Sequence, residues 1–359
     1  MSTRLPGTML LLALYGMPAV LNRKAEGVGM SPYLLWMTVG TTVIFALYGL
    51  RCLLAGRGRP VRKRALLTAA VALALTVRLT LEFARVGYLV LSEALDFEAY
   101  DYDWVWFMED LFTFDISTLS FFFGAAGVCL SVLLANRLTR PGAVVAGMDA
   151  FAPFGALLAA LFRMGQISDP FSGGGKVLPD GSPFNRFPFA LEIEIQGGFS
   201  DWVWAACVLS AAFALIWAVV SFLISFRGRG RPGLNFTLTL FFLCVPQIMC
   251  ESMRDNDVRW LFVHAEQVLC AAVALGVLLF WVIGSRNVPP LRRWAPLLTA
   301  ALCIGLLVVT EFAIDGKWFD FSRTVCYIFM TFVLAGMGFA GGWAARNWNR
   351  AGESPSPAP

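Results

Sequence analysis

The sequence predicts an all-α, polytopic membrane protein. Hydrophobic residues make up 58% of the 359 positions against 14% charged, a balance foreign to soluble domains. Several windows with few or no charges reach the roughly 20 apolar residues that a helix needs to cross the hydrocarbon core. Lys and Arg gather in alternate short loops, as they do when every second loop faces the cytoplasm. An open sheet edge would leave backbone groups unpaired in lipid, so helices are the expected spanning element.

Taken in order, the segment 1–30 holds a short apolar run at 8–21 between Arg4 and Arg23-Lys24. That run reads as an interfacial arm or short helix, with a tenth span as the alternative, and it lacks the small-residue cleavage site of a signal peptide. Nine spans are expected at 31–54, 65–92, 117–136, 143–165, 201–226, 234–250, 260–284, 294–314 and 323–343. The loop "RCLLAGRGRPVRKR" (51–64) carries six basic residues, and 137–140, 227–231, 286–293 and 346–350 carry two, three, three and two. These loops alternate consistently and put the C-terminus inside. The opposite face receives "SEALDFEAYDYDWVWFMED" (92–110), which has no Lys or Arg, and the Gly/Pro-rich loop 169–200. The tail within 346–359 ends in "GESPSPAP" and is disordered by composition. No internal repeat supports a transporter built from inverted halves.

The net charge of +4 reflects loops facing anionic lipid and implies no nucleic-acid partner. The eight cysteines lie in or beside apolar segments without CxxC or metal-ligand spacing, so they read as buried small hydrophobes, with no metal or cofactor implied. "FSGGGKV" (171–177) lacks the strand and helix that a phosphate-cradling loop requires.

Charge inside the membrane is costly and marks function. Arg78, Glu82 and Arg85 recur at i, i+4 and i+7, on one face of the second span, where they form either an internal salt bridge with snorkelling ends or the lining of a cavity. Arg163 interrupts the far end of the fourth, "FAPFGALLAALFRMGQISDP". If these helices touch, three arginines form a cationic pocket near the outer leaflet, and forked guanidinium donors suit a phospholipid head group. "RFPFALEIE" (186–194) opens the fifth span with Glu192 and Glu194, and Glu251 and Arg254 end the sixth. The last two either pair at i, i+3 or serve the site. The sole histidine, His264, starts the seventh span and reads as a structural hydrogen-bonder or a base.

Over roughly 70–285 the chain resembles the bacterial prolipoprotein diacylglyceryl transferases. "FARVGYLVL" (83–91) is similar to the family's GGRxGYxLFY at Arg85, Gly87 and Tyr88. "DAFAPFGALLAALFRMGQISD" resembles the signature that leads to GRxGNFxNxE, matching Asp149, Pro153, Arg163 and Gly165. "RFPFALE" keeps Pro188 and Glu192 of HPxxLYE, "QIMCESMRDND" keeps Glu251 and Arg254 of RFxxEFxRxD, and "AEQVLC" keeps Gln267 of GQxLS. The family pattern differs at Phe122, where it has a histidine, at Gln247, where it has an arginine, and at Gln166 and Asp169, where it has asparagines; Phe187 and Leu191 stand for its His and Tyr.

The resemblance implies a seven-helix core, placed at 31–285, with two further helices over 286–345. It implies binding of phosphatidylglycerol, or another anionic phospholipid, and transfer of its diacylglyceryl group to the lipobox cysteine of a prolipoprotein signal peptide at the outer face of the bacterial plasma membrane. Arg163 would hold the phosphate and stabilise the leaving anion, with Glu251 or His264 as the base that replaces the missing histidine. Arg85, Tyr88, Arg78 and Gly165 would line the lipid site from the second and fourth spans. Gln166, Glu192, Gln247, Arg254 and Gln267 would complete it. The alternative is a relative that binds lipid without chemistry. Gly338 and Gly342 offer a small-xxx-small face for close packing of the ninth helix.

Overall fold

The computed structural model describes residues 32–55, 59–95, 120–168, 174–195, 199–227, 230–254, 259–260, 263–314, 316 and 321–352. The N-terminal arm 1–30, the acidic stretch 96–119, Asp169 and the tail from 353 lie outside the described residues, as do the side chains of Arg78 and Glu194. Among the described residues nine helices are long and apolar enough to cross a membrane. They are α1 (Pro32–Ala55), α2 (Arg59–Leu95), α3 (Phe121–Thr139), α4 (Val144–Gly165), α5 (Ala206–Arg227), α6 (Leu234–Met253), α7 (Ala265–Gly284), α8 (Pro290–Ile314) and α9 (Arg323–Gly352). The chain is thus an all-α multi-pass membrane protein.

The helices sort their side chains by what touches them. Leu215, Ile216, Val219, Phe332 and Phe339 stand exposed, as they should where lipid is the solvent. Ala135, Ala156, Ala211, Ala218, Ala274 and Ala300 are fully buried between helices, where small residues let backbones approach. Pro153, Pro246 and Pro296 sit inside helices, tolerated because neighbouring helices compensate for the lost N–H. Helix α2 packs on α1 and α3; α4 packs on α1, α3, α5 and α6; α6 packs on α5, α7 and α9; and α8 and α9 pair with each other and lie against α7.

Most boundaries shift by a few residues from the sequence reading, and three of them have a local reason. The fifth span begins at Ala206, because 190–204 forms an antiparallel hairpin, β1 (Ala190–Ile195) and β2 (Phe199–Trp204), with Glu192 opposite Trp202. "ALEIEI" alternates apolar and acidic residues with the period of a strand, so its Glu192 is exposed while Leu191 and Ile193 are partly covered. The seventh span starts at Ala265, after the short pair β3 (Arg259–Trp260) and β4 (Val263–His264). The ninth continues past 345 to Gly352, held by Trp348, which packs against Phe280 and lies 4.6 Å under the Arg231 guanidinium.

Glycines permit two close approaches. Gly341 faces the Phe241 ring and Gly338 faces Phe242, so α9 presses on α6 through positions 338 and 341, whereas Gly342 is open. Gly87 meets Phe123 where α2 crosses α3.

Helices α4 and α6 run in the same direction and are tied near their starts. The Asp149 carboxylate accepts from Gly233 N–H (2.6 Å) and Phe236 N–H (2.9 Å), capping α6 where its amides lack helical partners. Asp149 was expected only as a match to the family signature; its geometry is that of a helix cap.

Candidate functional site

The opposite ends of the same two helices meet in a buried cluster of charges. Arg163, in the last turn of α4, is 1% exposed. Its Nη2 lies 2.6 Å from Glu251 Oε1 and 4.0 Å from Glu266 Oε2, and Nη1 donates to Gln166 Oε1 at 2.9 Å. The Phe121 ring covers the guanidinium at 3.9 Å, a contact worth most when desolvated. From the end of α6, Arg254 Nη1 reaches both oxygens of Glu251 at 3.3 Å, so the i, i+3 pairing forms and also joins the cluster.

The remaining partners come from α3, α5, α6, β4, α7 and α8. Gln247, one turn below Glu251, donates to Glu251 Oε1 and accepts from Ser210 Oγ on α5 at 2.7 Å. Ser120, the N-cap of α3, accepts from Phe123 N–H and donates to Glu266 Oε1, to which Phe122 N–H also donates at 3.3 Å. Phe122 itself packs against the main apolar core. His264 precedes α7, with its backbone N–H donating to Gln267 Oε1 at 2.9 Å. Gln267 Nε2 donates to Ile248 O at 2.9 Å and to Glu311 of α8 at 2.7 Å.

A strap closes over this end. Lys176 N–H donates to the carbonyl of Met253 at 2.7 Å, and Gly175 bridges to Arg254. A side chain at 175 would collide with that carbonyl. The glycine-rich segment thus satisfies the terminal carbonyl of α6.

Of the residues nominated from sequence, Arg163, Gln166, Gln247, Glu251, Arg254, His264 and Gln267 gather here, with Gly165 buried beside Arg163. The others have partners of their own: Arg85 pairs with Glu82 at 3.6 Å on its own helix, Tyr88 is half-buried one turn on, and exposed Glu192 accepts from Ser200 at 2.6 Å on the hairpin. The helix of Arg85 comes up to the cluster, since Ala84 of α2 and Phe162 of α4 pack together and the Ala84 carbonyl accepts from Ser120 N–H at 3.0 Å. Within the cluster Arg163 and Arg254 face the carboxylates of Glu251 and Glu266.

Glu266 and Glu311 were missed in the sequence. Each is a lone acid in an apolar helix, "HAEQVLC" and "VVTEFAI", which was the available signal.

Three buried atoms in or beside the cluster have no hydrogen-bond partner: Arg163 Nε, Glu266 Oε2 and Ser252 Oγ. A small void of about 10 Å³, room for about one water, lies among Phe121, Ala159, Ser210, Phe213, Pro246 and Gln247. The arrangement offers guanidiniums for an anion and carboxylates for protons. No protein-family model matches the chain, and no curated protein matches it.

Proposed function

We propose that this is a divergent relative of the prolipoprotein diacylglyceryl transferases, holding an anionic phospholipid, phosphatidylglycerol, at the outer leaflet of a bacterial plasma membrane with its C-terminus in the cytoplasm. The observation that carries the reading is the convergence of Arg163, Arg254, Glu251 and Glu266 at one end of the bundle, with Arg163 Nε lacking an acceptor and Glu266 Oε2 reached only by Arg163 Nη2 at 4.0 Å. A phosphate offers the guanidinium the acceptor that its Nε lacks.

In the transfer the sulfur of a lipobox cysteine attacks the glyceryl carbon bonded to the phosphate oxygen. The carbon–oxygen bond breaks and glycerol phosphate leaves, its charge stabilised by Arg163. The thiol proton passes to a carboxylate, for which Glu266 Oε2 is the acceptor without a donor.

A second reading, lipid binding without transfer, is favoured by positions 122 and 247. Phe122 has no ionisable group and is a half-buried ring against the core, and Gln247 is engaged by Glu251 and Ser210, so neither supplies a base or a second phosphate donor.

The test is a mass-shift assay in phosphatidylglycerol proteoliposomes with a lipobox peptide. A diacylglyceryl adduct that vanishes in Arg163→Ala establishes the transferase. Lipid retained by the wild type and lost in Arg163→Ala, without adduct, establishes the second reading. Lipid retention unchanged in Arg163→Ala sinks both.

A further inference from the structure

The turn of α6 that carries Glu251 is gripped from outside by α8 and α9. Glu311 of α8 is 4% exposed and accepts from Gln267 Nε2, which donates at the same time to the Ile248 carbonyl. Tyr327 of α9 donates its hydroxyl proton to the Ser252 carbonyl at 3.2 Å, and Thr331 Oγ1, which donates to the Tyr327 carbonyl at 2.9 Å, lies 3.4 Å from Met249 Sδ. The Tyr327 ring stands edge-on to Trp204 of β2, which ties the same turn to the hairpin. Tyr327 and Thr331 of α9 thus address residues 249–252 directly, and Glu311 of α8 addresses Ile248 and the first turn of α7, where Glu266 meets Arg163 and Ser120, through Gln267.

We infer that α8 and α9 are part of the site, and that Glu311 is a positioning residue: through Gln267 it sets the relative height of the α6 and α7 turns that present Glu251 and Glu266 to Arg163. Apolar packing alone would need no acid at 311. A carboxylate buried in a membrane helix costs free energy, and a side-chain amide held between a carboxylate and a carbonyl keeps one orientation. The lipid arm of the test rests on the lipid-binding reading; the exchange arm does not.

The experiment compares full-length Glu311→Leu, Glu311→Gln and Tyr327→Phe with the wild type in phosphatidylglycerol nanodiscs. Backbone hydrogen exchange is read over 248–254 and 264–268, beside phosphatidylglycerol retention. Glu311→Leu removes the acceptor and is expected to speed exchange in both segments about tenfold, the equivalent of one ordinary hydrogen bond, and to weaken lipid retention about as much. Glu311→Gln keeps an acceptor oxygen and is expected to restore both to within about twofold. Tyr327→Phe keeps the ring, loses one bond, and is expected to speed exchange at 249–254 alone by about threefold. Exchange unchanged in both Glu311→Leu and Tyr327→Phe overturns the inference whatever the lipid result. Faster exchange with unaltered retention overturns the positioning role, provided that Arg163→Ala abolishes retention in the same preparation. Retention that survives Arg163→Ala counts against the lipid-binding reading instead, and exchange alone then decides.

Discussion

Helices α4 and α6 are fastened to each other twice, and the two fastenings differ in kind. Near the helix starts one charge, Asp149, meets backbone amides of Gly233 and Phe236, while Asn235 Nδ2 donates to the Asp149 carbonyl at 3.1 Å and to Ser225 at 2.8 Å. Fourteen residues along α4, roughly 21 Å at about 1.5 Å per residue, Arg163 meets Glu251 amid four charges, with donor and acceptor atoms to spare. In the first tie both carboxylate oxygens have backbone donors. The second spends more charge than holding requires, and spare hydrogen-bonding capacity in a dry place separates a ligand site from a fastening.

That contrast breaks most readily at Glu251. Replacing it by leucine removes the carboxylate nearest two buried guanidiniums, and the expected loss is about 3–5 kcal/mol, read as the unfolding free energy in detergent. A loss no larger than that of Asp149→Ala would erase the distinction. Combining Glu251→Leu with Arg163→Met leaves Arg254 and Glu266 as one balanced pair, so the double variant is expected to recover at least about 1 kcal/mol relative to the sum of the singles. Additive losses would show that the two side chains do not act as a pair. Asp149→Ala removes a two-amide cap and is expected to cost about 1–2 kcal/mol, with phosphatidylglycerol retention unaltered; weakened retention would make that end functional too. Smallest is Glu192→Ala on the exposed hairpin, expected to stay within about 0.5 kcal/mol in stability and to leave retention unmoved.

The spans were legible because lipid solvation writes itself into composition: each run of apolar residues became a helix within a few positions. The hairpin at 190–204 was not, since Trp202, Val203 and Trp204 read equally well as the mouth of a span. Arg163, Glu251 and Arg254 were legible as costly intramembrane charges. Their balance was not, because it depends on which helices touch: the sequence shows Arg85 and Arg163 as like candidates, and packing sends one to Glu82 and the other to Glu251. Glu311 lay outside the family-like stretch and was read past, although an acid amid "LLVVTEFAI" carries the same physical signal as Arg163.

The pairing of Arg163 with Glu251 joins positions 88 residues apart, and this has a bearing on biogenesis. A ribosome adding roughly 5–20 residues per second delivers α4 to the bilayer several seconds before the carboxylate that neutralises its arginine. In that interval the guanidinium must reach toward the interface on its own aliphatic stem, which a residue in the last turn of a helix can do and one at mid-span cannot. The depth of Arg163 is therefore bounded by insertion as well as by chemistry.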